Sequence, residues 1–186
     1  HCSFDLALKE AQEKGFAEAD PTFDIKGIDS GHKLAILSQL AYGTPVSFDD
    51  ITIQGISGIS RGDIEFAQEF GYRIKLLAIS KFDGTSIDIR VHPAMIPQNN
   101  PMANVNGVLN AIRVCDDLMQ ENILIGHGAG SLPTGSAVVA DIIEIARDII
   151  SGSKVRVPPR SFQNTAIKKI PILNIESIDS EYFLRF

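Results

Sequence analysis

The feature that most constrains this chain is a pair of alternating segments separated by the dipeptide Asp83-Gly84. Residues 72–80 begin with strand-like alternation, and residues 87–91 (Ile-Asp-Ile-Arg-Val) alternate apolar and polar side chains with a period of two. An Asp-Gly turn between two such segments is a strong short-range signal for a β-hairpin. The pattern therefore predicts a sheet that contains antiparallel pairing.

Helical patterns lie on both sides of this hairpin. Helices are predicted over 4–14, from Asp29 or Ser30 to Ala41, from Ser60 to Gly71, and over 136–150. Further strands are predicted within 50–56 and over 108–114 and 121–125. Residues 16–28, 92–103 and 151–172 are predicted to be irregular, because prolines and glycines interrupt their periodicity.

This order of elements predicts an α+β fold. We expect a two-layer sandwich in which a mixed, largely antiparallel sheet carries helices on one face. The helix predicted over 136–150 has an unusually wide apolar arc, which indicates packing on more than one surface.

Composition narrows the classes of partner. The chain has 17 Lys+Arg against 23 Asp+Glu and a net charge of −6, which disfavours nucleic-acid binding. No apolar run approaches the roughly 18 residues that a membrane helix needs, so no membrane segment is predicted. Two distant cysteines, Cys2 and Cys115, favour a reducing, cytoplasmic location. Because the chain opens at His1 and ends on a strand-like segment, we expect it to be part of a longer protein.

The densest polar cluster lies within residues 18–33. Asp29 and Lys33 are four residues apart, so they share one face of a helix. A lysine among acids can act as a proton donor or acceptor, and the preceding carboxylates, among them Glu18 and Asp24, could bind an α-ammonium group. The alternative is a surface ion pair beside a solvated acidic loop, and such pairs contribute only about 0.3–0.5 kcal/mol.

The second cluster is the glycine-rich run from Gly126 to Ser136. Glycines allow close backbone approach, and free amides at a strand-to-helix turn can bind an anion or a polar ring. The run matches neither the P-loop nor the Gly-x-Gly-x-x-Gly pattern. A tight strand-helix connection is the alternative interpretation. The four histidines lack the spacing of metal ligands, so no metal site is predicted.

Together the two clusters resemble the homoserine dehydrogenase family. The resemblance lies in Asp20-Pro-x-x-Asp24 followed by Gly27-x-Asp29-x-x-x-Lys33, and in the run from Gly126 to Asp141. Val91-His-Pro93 and Asn104-Val-Asn-Gly-Val108 are also similar to this family. The similarity covers about residues 4–150, with His127 and Gly135 as small departures.

The resemblance implies interconversion of L-aspartate 4-semialdehyde and L-homoserine with NADP or NAD, in a homodimer. It implies that Lys33 donates a proton to the carbonyl oxygen and that Asp29 orients or polarises the substrate. The resemblance further implies that Glu18 and Asp24 bind the substrate. It also implies that Gly128, Ala129 and Gly130 bind the cofactor.

The resemblance also implies a division of the chain. Residues 1–150 would form the catalytic, substrate-binding domain, residues 151–175 a linker over the surface, and residues 176–186 the start of an ACT-like segment. Nothing in the sequence corresponds to the family's Rossmann domain, so we expect little or no activity from this chain alone. A non-catalytic dimerisation module and the catalytic domain of another amino-acid or semialdehyde dehydrogenase stay open as alternatives.

Overall fold

The computed structural model describes residues 4–13, 17, 19–152 and 160–184, and within them the predicted α+β class is confirmed. The helices of this part are α1 (Phe4–Glu13), α2 (Thr22–Ile25), α3 (Ile28–Tyr42), α4 (Arg61–Glu69) and α5 (Ser131–Ser151). The strands are β1 (Thr52–Ile53), β2 (Tyr72–Phe82), β3 (Ile87–Pro97), β4 (Leu109–Asp116) and β5 (Gln120–His127).

The strands form two separate sheets. A three-stranded sheet has the order β1-β3-β2, and β1 runs parallel to β3 with Thr52 opposite Arg90 and Ile53 opposite Val91. The predicted hairpin joins β2 to β3, which makes this sheet mixed. Strands β4 and β5 pair antiparallel as a two-stranded sheet.

The chain divides into two compact units. Unit 1 consists of His1–Pro21, Ile59–Lys75 and Ala94–Arg156, and unit 2 consists of Thr22–Gly58, Leu76–Pro93 and Val157–Phe186. Unit 1 holds the β4–β5 hairpin and α5, whereas unit 2 holds α3 and β1.

The main hydrophobic core lies in unit 2, where α3 packs on the sheet. Its buried members are Leu34, Ala35, Val46, Ile51, Ile87, Ile89 and Val91. Because the three β3 residues of this set are spaced two apart, they point to one face of the strand, and this face meets α3. The arrangement is a helix layer on a sheet layer, as the sequence predicts.

Local capping explains where the helices begin and end. A capping box begins α4, since Ser60 Oγ accepts from Asp63 N–H at 3.3 Å and Asp63 Oδ2 accepts from Ser60 N–H at 2.8 Å. Helix α3 follows Gly27 (φ +75°) and ends before Gly43 (φ +62°), whose N–H donates to Gln39 O. Glycine suits both ends because each needs a left-handed backbone.

Two predicted irregular segments contain regular structure. The interval 16–28 includes the short helix α2, which begins just after Pro21, where a proline costs no helical hydrogen bond. Strand β3 continues through Pro93 to Pro97 rather than ending at Val91. Its pairing with β1 stops at Val91, so the prolines lie where that edge of β3 needs no amide donor.

Helix α5 begins at Ser131, five residues before the predicted start. Pro133 falls in its first turn, and the first four amides of a helix have no intrahelical partner. The proline is therefore compatible with the helix, and the start predicted at residue 136 is too late.

The segment after α5 is better ordered at its end than predicted. Residues 153–159 lie outside the described part, but Ile170 and Ile172 pack against the core of unit 2. Ile87 N–H donates to Pro171 O and Ile87 O accepts from Leu173 N–H, both at 2.9 Å. Part of the predicted surface linker over 151–175 therefore packs against the core. Residues 178–184 have no regular secondary structure.

None of the described helices has both the length and the apolar character needed to cross a membrane.

A substitution at Gly55 tests the close contact between the segment after β1 and the end of α2. A Cβ at Gly55 would lie 2.6 Å from Lys26 Cα and closer still to Ile25 O, and both atoms belong to the backbone. We expect Gly55→Ala to lower the free energy of unfolding by about 2–3 kcal/mol, because backbone cannot yield as a side chain can. Urea denaturation of the chain measures this, with Gly58→Ala as the control, since a Cβ there meets nothing within 4 Å. Equal stability of the two variants would contradict the contact.

Asp83 makes the β2–β3 turn sensitive to pH. Its carboxylate accepts hydrogen bonds from the N–H and hydroxyl groups of Thr85 and Ser86, which hold the pKa of Asp83 well below its ordinary value. A depressed pKa stabilises the folded turn above the unfolded pKa of about 3.9, and this contribution disappears as the pH falls through the folded pKa. We expect the Thr85 and Ser86 amides to lose hydrogen-exchange protection on acidification, and Asp83→Ala to show weak protection at every pH. Protection in the variant equal to wild type at neutral pH would refute this.

Candidate active site

The structure places the predicted site residues in both units. Asp24 lies on α2, and Asp29 and Lys33 lie on α3, all in unit 2. Gly128, Ala129 and Gly130 follow β5 in unit 1. Glu18 lies outside the described residues.

The centre of the candidate site in unit 2 is an ion pair near the start of α3. Lys33 Nζ donates to Asp29 Oδ2 at 2.6 Å, one helical turn away. The two side chains are 54% and 44% exposed, so the pair is held by the helix yet open to a ligand. An ammonium group fixed by a carboxylate in this way can donate both a hydrogen bond and a proton to a bound oxygen.

Two glycines set the position of this part of α3. A Cβ at Gly27 would lie 3.2 Å from Val91 Cγ1, and one at Gly31 would lie 2.6 Å from Ile53 Cδ1 and 2.9 Å from a Phe48 ring carbon. The helix therefore rests on β1 and β3 at its least bulky positions. Gly27 and Gly31 are buried, whereas Asp29 and Lys33 lie on the more open side.

Aromatic contacts tie α2 to α3 beside the ion pair. The ring of His32 lies 4.4 Å from the ring of Phe48 and 6.3 Å from that of Phe23, measured between centroids. Asp24 follows Phe23 on α2 and is exposed. The sequence analysis considered His32 only as a metal ligand and missed this packing. The only available signal was its place in the helix next to Lys33.

The glycine turn in unit 1 is anchored on the β4–β5 hairpin. Gly128 N–H donates to Val108 O at 3.0 Å, and Gly130 (φ +124°) leads into α5. A Cβ at Gly128 would overlap the carboxamide of Asn110, at 2.8 Å from Oδ1 and closer still to Nδ2. A side chain at residue 128 would therefore require the Asn110 carboxamide to move.

This bare backbone fits a flat, polar ring such as nicotinamide, because Gly128, Ala129 and Gly130 are exposed and carry no large side chain. Sequence analysis missed Asn110. The signal that could have found it is the β4–β5 register, which places Asn110 opposite Gly126.

Basic side chains of β2 hold the segment that leads into β4. Lys75 Nζ donates to Val105 O and, at 3.0 Å, to Asn106 Oδ1, while Arg73 donates to Ala103 O at 3.4 Å. Burial, and secondly the nearby Arg73 charge, lower the pKa of Lys75. In the described part of the chain, no three His, Cys, Asp or Glu side chains are grouped so that they could hold a metal ion.

Comparison with known proteins identifies the family. The family model described as homoserine dehydrogenase matches residues 1–143. The chain belongs to the homoserine dehydrogenase family. The resemblance drawn from the two motifs is therefore confirmed.

Several homoserine dehydrogenases are similar to this chain over most of its length. That of Neisseria gonorrhoeae is 50% identical over 98% of the chain and 42% of its own length. A crystal structure from Thiobacillus denitrificans is 47% identical with a TM-score of 0.86, covering 95% of this chain and 41% of its own. A hyperthermophilic archaeal homoserine dehydrogenase mutant, solved in complex with NADPH, is 34% identical with a TM-score of 0.60, covering 77% and 40%.

The chain thus spans about two fifths of the length of the curated relatives, 42% in the Neisseria and Pseudomonas aeruginosa enzymes. The structural match to the Thiobacillus denitrificans enzyme includes residues of both units, since it covers 95% of this chain.

The exposed ion pair on α3 predicts a small role in stability. We expect Lys33→Ala to lower the free energy of unfolding by at most about 0.5 kcal/mol, because exposed i,i+4 pairs are screened by water. Arg61→Ala is a matched control, since Arg61 Nε donates to Glu65 Oε1 at 2.7 Å in an equally exposed i,i+4 pair on α4. Denaturant titration measures both. A much larger loss for Lys33→Ala than for the control would assign the lysine a structural role.

Proposed function

We propose that the protein containing this chain interconverts L-aspartate 4-semialdehyde and L-homoserine with NADP or NAD, a step toward threonine and methionine. The observation that carries this proposal is the Lys33–Asp29 pair at 2.6 Å, which places an ammonium group beside a carboxylate on a helix within the residues that the family model matches. A bound dinucleotide supplies the hydride that reduces the aldehyde carbon.

Lys33 is the proposed proton donor. When the aldehyde is reduced, negative charge develops on its oxygen, and an ammonium group both stabilises that charge and supplies a proton. Asp29 accepts a hydrogen bond from Lys33, and this contact limits the directions in which the long side chain can point. Asp29 therefore orients the donor at the substrate.

The acidic residues before α3 are the proposed ammonium site. Asp24 is exposed on α2, and α2 is tied to α3 through the Phe23–His32 contact. A carboxylate in this position can pair with the α-ammonium of an amino-acid substrate. Glu18 is assigned the same role from its place in the family motif.

The glycine turn is the proposed contact for the nicotinamide end of the cofactor. Gly128, Ala129 and Gly130 are exposed, and Gly128 leaves room for the Asn110 carboxamide beside the turn. The archaeal relative solved with NADPH supports a nicotinamide dinucleotide as the cofactor.

We also propose the wider organisation that the family implies. Residues 1–150 form the substrate-binding domain, followed by a linker over 151–175 and an ACT-like start over 176–186. Exposed apolar side chains on the hairpin, such as Ile112 and Leu124, support a homodimer. The free, exposed Cys115 thiol supports a reducing, cytoplasmic location.

Replacing the proton donor tests the function in the full-length enzyme. We expect Lys33→Ala to lower kcat for homoserine oxidation about 10²- to 10⁴-fold, the range for loss of a general acid or base. Initial rates with L-homoserine and each dinucleotide measure this. Other hydroxy amino acids in the same assay test the alternative of a different dehydrogenase.

Arg61→Ala serves again as the control, because it removes an equally exposed helix cation from α4. We expect its turnover to equal that of wild type. Unchanged turnover in Lys33→Ala, with the oligomer intact, would instead favour a non-catalytic dimerisation module.

A further inference from the structure

We propose that Asn110 is a further cofactor-binding residue, whose carboxamide recognises the carboxamide of the nicotinamide ring. This inference rests on the proposed function, in which Gly128, Ala129 and Gly130 contact that ring. It adds a side chain that forms hydrogen bonds with the carboxamide of the ring, whereas the glycines supply only exposed backbone.

The first argument is the contact between Asn110 and the turn. The Asn110 carboxamide occupies the space that a Cβ of residue 128 would need, with Oδ1 2.8 Å from that position and Nδ2 closer. The polar group therefore lies directly against the backbone proposed to meet the ring. A ligand resting on Gly128 would meet this carboxamide as its nearest polar side chain on that strand face.

The second argument is that the carboxamide has unused hydrogen-bonding capacity. Asn110 is exposed, and within the described residues its side chain makes no hydrogen bond. An asparagine offers one acceptor oxygen and two donor hydrogens. Nicotinamide carries the same set in its own carboxamide, so two such groups can pair by one hydrogen bond in each direction.

The third argument concerns which side chains share the face of the glycines. Residues directly opposite in an antiparallel pair point to the same side, and Asn110 is opposite Gly126. His127 is opposite Leu109, so this pair points to the other side. Asn110 is thus the polar residue that the hairpin places beside the turn.

The fourth argument is that Asn110 sits on well-anchored backbone. Leu109 N–H donates to Asn106 O at 3.3 Å, and Asn106 is itself held through its side chain by Lys75. On the other side, Gly128 N–H donates to Val108 O at 3.0 Å. A binding group held on a strand in this way loses little freedom when a ligand arrives.

The test measures dinucleotide binding to the full-length enzyme, with no turnover. Fluorescence titration gives Kd for the reduced nicotinamide dinucleotide and for its 3-acetylpyridine counterpart, in which a methyl group replaces the amide NH2. The proteins are wild type, Asn110→Leu and Asn122→Leu. Asn122 is a matched control because it is an exposed asparagine on the same hairpin, opposite Val114.

We expect Asn110→Leu to weaken the nicotinamide form about 30-fold and the acetylpyridine form only about 5-fold, since two hydrogen bonds are lost in the first case and one in the second. The preference, which is Kd for the acetylpyridine form divided by Kd for the nicotinamide form, should therefore fall toward 1. Asn122→Leu should keep the wild-type preference. An unchanged preference in folded Asn110→Leu would overturn the proposal.

Asn110→Asp is a second variant that nearly keeps the shape. It retains acceptors for the nicotinamide NH2 but loses the donor for the ring carbonyl, so the preference for the nicotinamide form should rise. A preference that falls or stays unchanged in Asn110→Asp would also overturn the proposal, and this result does not require Asn110→Leu to fold.

Gly128→Ala separates this inference from the function on which it rests. Its Cβ covers the turn and displaces the Asn110 carboxamide, so it should weaken both dinucleotides and also lower the preference for the nicotinamide form. If it weakens both dinucleotides while the Asn110 variants leave the preference unchanged, Asn110 is refuted and the cofactor turn stands. If Gly128→Ala leaves both affinities unchanged, the cofactor assignment of the turn fails, and the Asn110 proposal fails with it.

Discussion

The candidate chemistry of unit 2 depends on the close packing of α3 against β1 and β3. Gly27 and Gly31 allow this approach, because a Cβ at either position would crowd Val91 or Ile53. The left-handed conformation of Gly27 also turns the chain from α2 into α3. With the inner side of the helix fixed, Asp29 and Lys33 are held on its open side, where a half-exposed ammonium can reach a substrate.

Strand β3 supports this packing from a position that is buried on both faces. Ile87, Ile89 and Val91 join the core, and on the other face Arg90 Nη1 donates to Asp88 Oδ2 at 2.7 Å. Arg90 Nε also donates to His92 Nε2 at 3.1 Å. Desolvating such a pair costs free energy that its mutual attraction only partly offsets, so its value lies in fixing one arrangement of the strand. The other Asp88 oxygen is buried without a hydrogen-bond partner in the described part.

Unit 1 uses a different construction for the glycine turn. The β4–β5 hairpin is largely exposed, so its geometry rests on paired backbone and on anchors at its ends. The Lys75 contacts hold the entry to β4, and the Val108–Gly128 hydrogen bond holds the exit from β5. A turn of small residues keeps its shape here because its neighbours are fixed. This is how backbone alone can form a binding surface.

The sequence alone determined the features that depend on neighbouring residues. These features depend only on residues that are close together in the sequence. They are the α4 capping box, the Asp83 turn, the Lys33–Asp29 spacing and the family motifs. Tertiary structure decided what depends on distant partners. Pro93 is accepted in β3 only because β1 pairing stops at Val91, and Ile172 enters the core only because Ile87 offers its backbone. Asn110 meets Gly128 through the register of the β4–β5 hairpin, which the sequence analysis did not assign.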